Sequence, residues 1–132
     1  YRRRASLTVS GNSVRVKRVY EDAQPDDGYR VLIDRLWPRG LSRDAAAVDL
    51  WLKDIAPSAD LRRWYHADRD TRWPAFQRRY KAELSDDPAL AELRTLVRAH
   101  SGGRTPGVTL LYGARDTLHN HAVVLRDTVL AR

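Results

Sequence analysis

Two segments of this chain, "YRVLI" at 29–33 and "VTLLY" at 108–112, are apolar almost without interruption. A strand with one wet face alternates apolar and polar side chains, whereas a strand covered on both faces has no need to. Two such runs require a sheet with other elements layered against it, which is the α/β arrangement.

The remaining sequence supplies those elements. "VRVKRVY" (14–20) alternates apolar and basic residues with period two, which predicts a strand with one solvated face or at a sheet edge. "QPDDGY" is turn chemistry. Ser42 is placed to cap a short helical turn, with Asp44 in its first turn and Ala45, Ala46 and Ala47 behind. "VDLWLKDI" (48–55) alternates again and reads as a strand, with Val48, Leu50 and Leu52 on one side and Trp51 and Lys53 on the other. Ser58 opens a short helix carrying Leu61 and Trp64. Thr71 and Pro74 mark the start of a longer one with Trp73, Phe76, Tyr80 and Leu84 as its apolar stripe. Asp87 and Pro88 start another, striped by Leu90, Leu93 and Val97 and ended by "SGG". Asp116 or Thr117 is expected to cap a final helix with Leu118, Ala122, Leu125 and Val129 facing inward.

Strands separated by helices pair in parallel through crossovers. The expected fold is therefore α/β: a single small domain over 14–132, with a mainly parallel sheet of about four strands flanked by helices. Residues 1–13, "YRRRASLTVSGNS", read as a basic, flexible N-terminal extension.

Composition narrows the chemistry. Cysteine is absent, which removes thiol nucleophiles, thiolate metal sites and redox switching. At 132 residues the chain can bury a core without disulfides or a metal. No window reaches the roughly 18 apolar residues of a membrane span, and no leader-like segment opens the chain, so a soluble, cytoplasmic protein with no membrane partner is expected. Methionine is absent and the first residue is Tyr1, so a trimmed chain or a piece of a longer product is expected. The net charge of +7 comes from 24 Lys+Arg against 17 Asp+Glu. Lysine occurs only at Lys17, Lys53 and Lys81, so the cations are mostly guanidinium groups, which grip phosphate and carboxylate in bidentate fashion. No Walker loop, dinucleotide glycine fingerprint or G-x-S-x-G elbow is present, so the common catalytic templates do not fit and the cofactor is left open.

In α/β folds ligands sit outside the carboxyl ends of the strands. That rule selects two segments. The first is "DRLWPRG" (34–40), read as an anion pocket in which Arg35 and Arg39 grip the ligand beside Trp37 and Gly40 lets the backbone approach. Its plain alternative is a structural Asp34–Arg35 pair, and strand alternation would send those two side chains to opposite faces. The second is "YGARDTLHNH" (112–121). There an anion held by Arg115 would also meet free N–H groups at a helix start, and Tyr112, Asp116 and His119 would supply proton transfer. On a regular helix His119 and His121 point about 200° apart, so no shared metal is expected. The plain reading of His121 is a hydrogen-bonded packing residue, and that of His66 is a helix-end cap. Lys53 is either a cleft residue or a solvated lysine. Arg78, Arg79 and Lys81, beside Trp73 and Tyr80, either track a phosphate backbone or form a solvated helix face.

The blocks "VKRVYEDAQPDDGYRVLIDRLWPRGLSRDAAAVDLWLKDIAPS", "LRRWYHAD" and "VTLLYGARDTLHNHAVVL" resemble the bacterial YeaO-like branch of domain-of-unknown-function family 488, over about residues 14 to 130. The resemblance implies a small α/β domain with signature blocks at "DRLWPRG", "LKDIAPS" and D-x-x-H-N. Asp34, Arg35, Trp37, Pro38, Arg39, Gly40, Lys53, Asp54, Tyr112, Asp116, His119 and Asn120 match that pattern. The slot of His121 is looser in it, and Arg115 stands where lysine is also typical. The broader family carries a Cys-His-Arg block where this chain has His119, Asn120 and His121, so its cysteine chemistry does not transfer.

The leading expectation is a pocket for an anionic small molecule or nucleotide, with Arg35, Arg39 and Arg115 as its grip. His119 would act as acid or base, Asp116 would orient it, and Asn120 and Tyr112 would donate hydrogen bonds. Trp37, Gly40 and Lys53 complete the expected ligand contacts, and hydrolysis or group transfer at a phosphorylated or glycosidic centre is the expected reaction class if the site turns over. The alternative is a non-catalytic nucleic-acid-binding or regulatory module using Arg2, Arg3, Arg4 and the helix bearing Arg78. A third reading is an interaction or oligomer scaffold.

Overall fold

A computed structural model describes residues 14–101 and 107–131. The expected extension at 1–13 lies outside the described residues, as does part of the "SGG" helix end. The elements are β1 (Val14–Arg18), β2 (Tyr29–Leu32), α1 (Arg43–Ala46), β3 (Leu50–Trp51), α2 (Ala59–Ala67), α3 (Arg69–Ser85), α4 (Pro88–Ala99), β4 (Val108–Tyr112) and α5 (His121–Leu130). Single 3-10 turns at Pro25–Asp27 and Lys53–Ile55 join them. No helix among the described residues is long and apolar enough to cross a membrane.

The four strands form one sheet in the order β1-β4-β2-β3, every pairing parallel. β4 and β2 are the interior strands, in agreement with their nearly continuous apolar runs. Val31 lies beside Leu110, and Val14 and Tyr29 flank Val108.

The two sheet faces are covered unequally. Val14, Val31, Val108, Leu110 and Tyr112 face the larger core, which is closed by Leu61 and Tyr65 of α2, Phe76, Tyr80 and Leu84 of α3, Leu93 and Val97 of α4, and Leu125 and Val129 of α5. On the other face the buried apolar cluster among the described residues is Val19, Leu32, Ala46 and Leu111, under Trp37, Leu41, Val48 and Trp51 from the segment around α1. Toward its open half this face turns polar. The buried Arg30 guanidinium pairs with Asp27 and donates to the carbonyls of Ala46 (2.8 Å) and Ala47 (2.9 Å), while Lys17 reaches Asp27 at 3.1 Å. A buried charge is tolerable only when paired and hydrogen-bonded, and here both conditions are met.

Several boundaries differ from the sequence expectations. β3 is only two residues long, because the ladder ends where Leu52 N–H donates to the Leu32 carbonyl (2.9 Å) and the chain winds into the 3-10 turn that carries Lys53. α3 begins at Arg69, a short way before Thr71, so Pro74 lies inside the helix. On α2 the buried pair is Leu61 and Tyr65, four apart, while Trp64 is half-buried. α5 begins at His121, and Leu118 is left 74% exposed. The cause is two capping side chains in series. Asp116 turns its carboxylate onto the N–H groups of Leu118 (2.9 Å) and His119 (3.0 Å), while Asn120 Oδ1 accepts from Val123 (3.0 Å) and starts the helix. Only from Asn120 do the following apolar residues face the sheet.

Candidate functional site

The loops leaving β2 (34–40) and β4 (113–120) converge on one cleft of about 470 Å³ at the carboxyl end of the sheet. Arg35 and His119, from the two separate loops, both line it. Asp34 and Arg35 line it together, because β2 ends at Leu32 and strand alternation no longer applies two residues later. Tyr65 and Phe76 supply an aromatic wall; their rings stack at 4.4 Å.

Backbone contacts tie the two loops together. Gly113 N–H donates to Asp34 Oδ2 (2.9 Å), and His121 Nε2 stands 3.0 Å from Asp34 Oδ1 and 3.2 Å from the Ile33 carbonyl. One N–H cannot point at both acceptors. The alignment favours the Ile33 carbonyl, so Asp34 Oδ1 has the imidazole beside it but no aligned hydrogen bond. Trp51 Nε1 donates to the Asp34 carbonyl (2.7 Å), and the Tyr20 hydroxyl to that of Arg39 (2.9 Å), so the first loop is held from two sides.

The arginines fall into two classes. Arg35 donates weakly to the carbonyls of Ala56 and Pro57, both at 3.3 Å. Arg39, Arg62 and Arg69 line the same cleft from the β2 loop, α2 and α3. Among the described residues none of these three guanidinium groups has a carboxylate within ion-pair distance or a hydrogen-bond acceptor. The pKa of His66 is lowered first by burial and then by Arg62, Arg69 and His121. That direction is opposite to the raised value a helix-end cap would show.

The remaining expected residues divide in the same way. Trp37 lines the cleft, donates to the Leu41 carbonyl (2.7 Å) and carries the Arg43 guanidinium 4.1 Å above its ring. Asn120 is buried, caps α5 and donates to the Asp116 carbonyl (2.9 Å). Asp116 lies below its ordinary pKa because the backbone N–H groups of His119 and Leu118 hold its carboxylate. The His119 ring lies on Trp73, 4.7 Å between centroids and 15° between planes, and among the described residues no hydrogen bond joins it to Asp116. His119 and His121 therefore face different partners. Gly40, Lys53, Tyr112 and Arg115 lie outside the cleft lining. Gly40 has φ +77 and open space where a Cβ would stand, so its glycine serves the left-handed turn and not a close approach. Lys53 sits 5.1 Å over Trp51, Arg115 is exposed, and Tyr112 is buried, with burial pushing its phenol up.

A family model described as "Inactive DUF488-N3 subclade" matches residues 13–132. The chain belongs to the DUF488 family, in its YeaO-like branch. It is 48% identical over 124 residues to an uncharacterized protein of Mycobacterium tuberculosis (strain H37Rv), covering 94% of this chain and 99% of that one. It is 39% identical over 115 residues to the uncharacterized protein YeaO of Escherichia coli K12, covering 87% and 95%. No solved structure matches.

In this DUF488 domain, sequence reasoning passed over Arg62, Arg69 and His66 as cleft residues. The available signal was spacing: Arg62 and His66 are four apart and so share one face of α2. Nothing local indicated that this face would meet the strand ends. His121, read as a packing histidine, does pack against the Ile33 carbonyl, and it also lines the cleft.

Proposed function

We propose that the strand-end cleft binds an anionic small molecule, a phosphate- or carboxylate-bearing compound of nucleotide size. One observation carries this reading: Arg39, Arg62 and Arg69 enter a cleft of about 470 Å³ from three separate elements, and among the described residues none of them has a carboxylate within ion-pair distance. Bringing uncompensated guanidinium groups together costs free energy through like-charge repulsion, and a bound anion reverses the sign of that cost. Of the two acids in the cleft, Asp34 is engaged by Gly113 and His121, and Asp116 by its own loop. Asp116 also feels the Arg69 charge through space, but neither acid forms an ion pair with the cleft arginines.

The lining is apolar and aromatic beside the charges, with Leu36, Trp37, Tyr65 and Phe76, which suits a planar or apolar body attached to the anionic group. The description of the matching family as inactive supports binding without turnover. The contacts of Asp116 and His119 support it as well, since that pair is not joined as an acid–base relay. A cytoplasmic setting, where such compounds are abundant, is part of the proposal.

The test is thermal melting against phosphorylated metabolites, mononucleotides, sugar acids and neutral sugars, with Arg39→Ala and Arg62→Ala alongside. A class of anions should raise the melting temperature in proportion to the logarithm of its concentration, and both variants should lose the shift while melting normally without ligand. Equal shifts in the wild type and both variants would remove the cleft from consideration.

A further inference from the structure

The cationic lining does not stop at the edge of the cleft. Arg69 opens α3 and Arg72 lies one turn further on, so the two are surface neighbours. The Arg72 guanidinium sits 4.7 Å from the Trp64 ring and donates to the Trp64 carbonyl (2.6 Å). Arg79 covers the same indole at 4.1 Å. Arg72 and Arg79 are two turns apart on the helix, about 10 Å along its axis. Neither has a carboxylate within ion-pair distance among the described residues. Arg62, Arg69, Arg72 and Arg79 thus form a ridge that starts inside the cleft and leaves it along α3, and Trp64 holds its outer half in place.

Flat and apolar groups gather at the cleft mouth. His119 is exposed and stacks one ring face on Trp73. Tyr20, Leu36 and Leu118 are the large apolar side chains left exposed among the described residues, at 42%, 71% and 74%. They sit on the three loops that follow β1, β2 and β4, at the end of the sheet where the cleft opens. A positively charged track with stacking surfaces beside it is the arrangement that binds single strands, because unpaired bases offer π-faces and the backbone offers phosphates. A bare polyphosphate or an acidic peptide would use the guanidinium groups and leave the flat surfaces idle. A duplex would keep its bases away from them.

We infer that the cleft and ridge together bind single-stranded nucleic acid, with one nucleotide in the cleft, bases against Tyr20 and His119 at its mouth, and successive phosphates along Arg62, Arg69, Arg72 and Arg79. This rests on the reading of the cleft as an anion site and names its ligand as the end of a strand.

The experiment is fluorescence anisotropy of the full chain with labelled oligothymidylate and oligouridylate of roughly twelve nucleotides, within the span of known single-strand sites. Thymidine monophosphate, polyphosphate and polyglutamate serve as competitors. The oligomer should bind at least about tenfold tighter than the monophosphate. Its affinity should fall about fiftyfold between about 50 and about 200 mM salt, as four neutralised phosphates at a slope near −0.7 each require. Arg79→Ala should reduce that slope by about 0.7 and leave monophosphate binding unchanged. Arg79→Lys should preserve the slope. His119→Ala should weaken the oligomer about fivefold or more without altering the slope, since it removes stacking and not charge. Oligodeoxyuridylate, which differs from oligouridylate only in the 2′-hydroxyl, assigns the strand as DNA or RNA, and either supports the inference.

An oligomer that binds no tighter than the monophosphate overturns the ridge and leaves the cleft reading standing. An oligomer that binds through Arg79 but is indifferent to Arg39→Ala and to the monophosphate overturns the cleft. Polyglutamate or polyphosphate competing as well as an unlabelled oligomer removes the bases from recognition and overturns the nucleic-acid assignment. Unchanged melting temperatures for each variant separate all three results from misfolding.

Discussion

The imidazole of His121, at the first turn of α5, stands 3.0 Å from the carboxylate of Asp34, at the exit of β2. Through Asp34 Oδ2 and Gly113 N–H the same carboxylate also holds the exit of β4. Asp34 therefore ties the exits of β2 and β4 together where the cleft forms, with the first turn of α5 packed beside it.

Asp34→Ala should destabilise the domain by about 1–3 kcal/mol, because the Gly113 N–H loses its acceptor in a partly buried place. Asp34→Asn keeps an oxygen for Gly113 and should cost less than half as much. Urea unfolding of both variants reads the difference, and equal losses would show that the charge beside His121 carries the effect.

Asn120 is buried and works at both ends, accepting from Val123 and donating to the Asp116 carbonyl. Asn120→Ala should cost about 2 kcal/mol, at the upper end of the range for capping residues, and Asn120→Asp, which keeps the cap but not the donor, about half of that. Hydrogen exchange should localise the loss to the first turn of α5 and to residues 115–119. A uniform loss over the sheet would contradict the cap assignment.

His66 gives the cleft a pH dependence with a defined sign. Its pKa in the folded protein is below the ordinary value of 6.5, through burial and the Arg62 and Arg69 charges. The unfolded chain then binds the proton more readily, so the contribution of His66 to stability falls as pH drops below about 6.5. An anion on Arg62 and Arg69 reverses the second cause and raises the pKa. Sulfate, whose charge does not change in this range, should therefore bind tighter as pH falls from about 7.5 to about 5.5, with proton uptake, and His66→Gln should flatten the dependence. NMR titration of the His66 ring with and without sulfate checks the direction, and a downward shift on binding would refute it.

Gly28 has φ +68, and a methyl group there would run into the carbonyl of Gly107 at the start of β4. Gly28→Ala should cost at least about 2 kcal/mol from the left-handed backbone and the collision together. Gly113→Ala should cost less, because its methyl would meet the movable Asp34 carboxylate at 3.0 Å. A chemical denaturation series that ranked the two the other way would show that the Asp34 contact is the more rigid of the pair.

What the sequence determined by itself is whatever depends on neighbouring residues. The nearly continuous apolar runs 29–33 and 108–112 announced interior strands, because alternation fades when both faces are covered. Ser42, Ser58 and Asp87 marked helix starts that the structure keeps, since a capping side chain acts on N–H groups two or three residues away. The rule of strand ends pointed to 34–40 and to the segment after β4, and those two loops do meet. Local signals failed where two of them competed, as with Asp116 and Asn120, and the start of α5 was decided by which face of the helix met the sheet. The strand order β1-β4-β2-β3, the approach of α2 and α3 that carries Arg62, His66 and Arg69 to the cleft, and the contact between Asp34 and His121 exist only in three dimensions. Each joins residues far apart in the chain, and such contacts are selected by the packing of the whole core and by no short stretch within it.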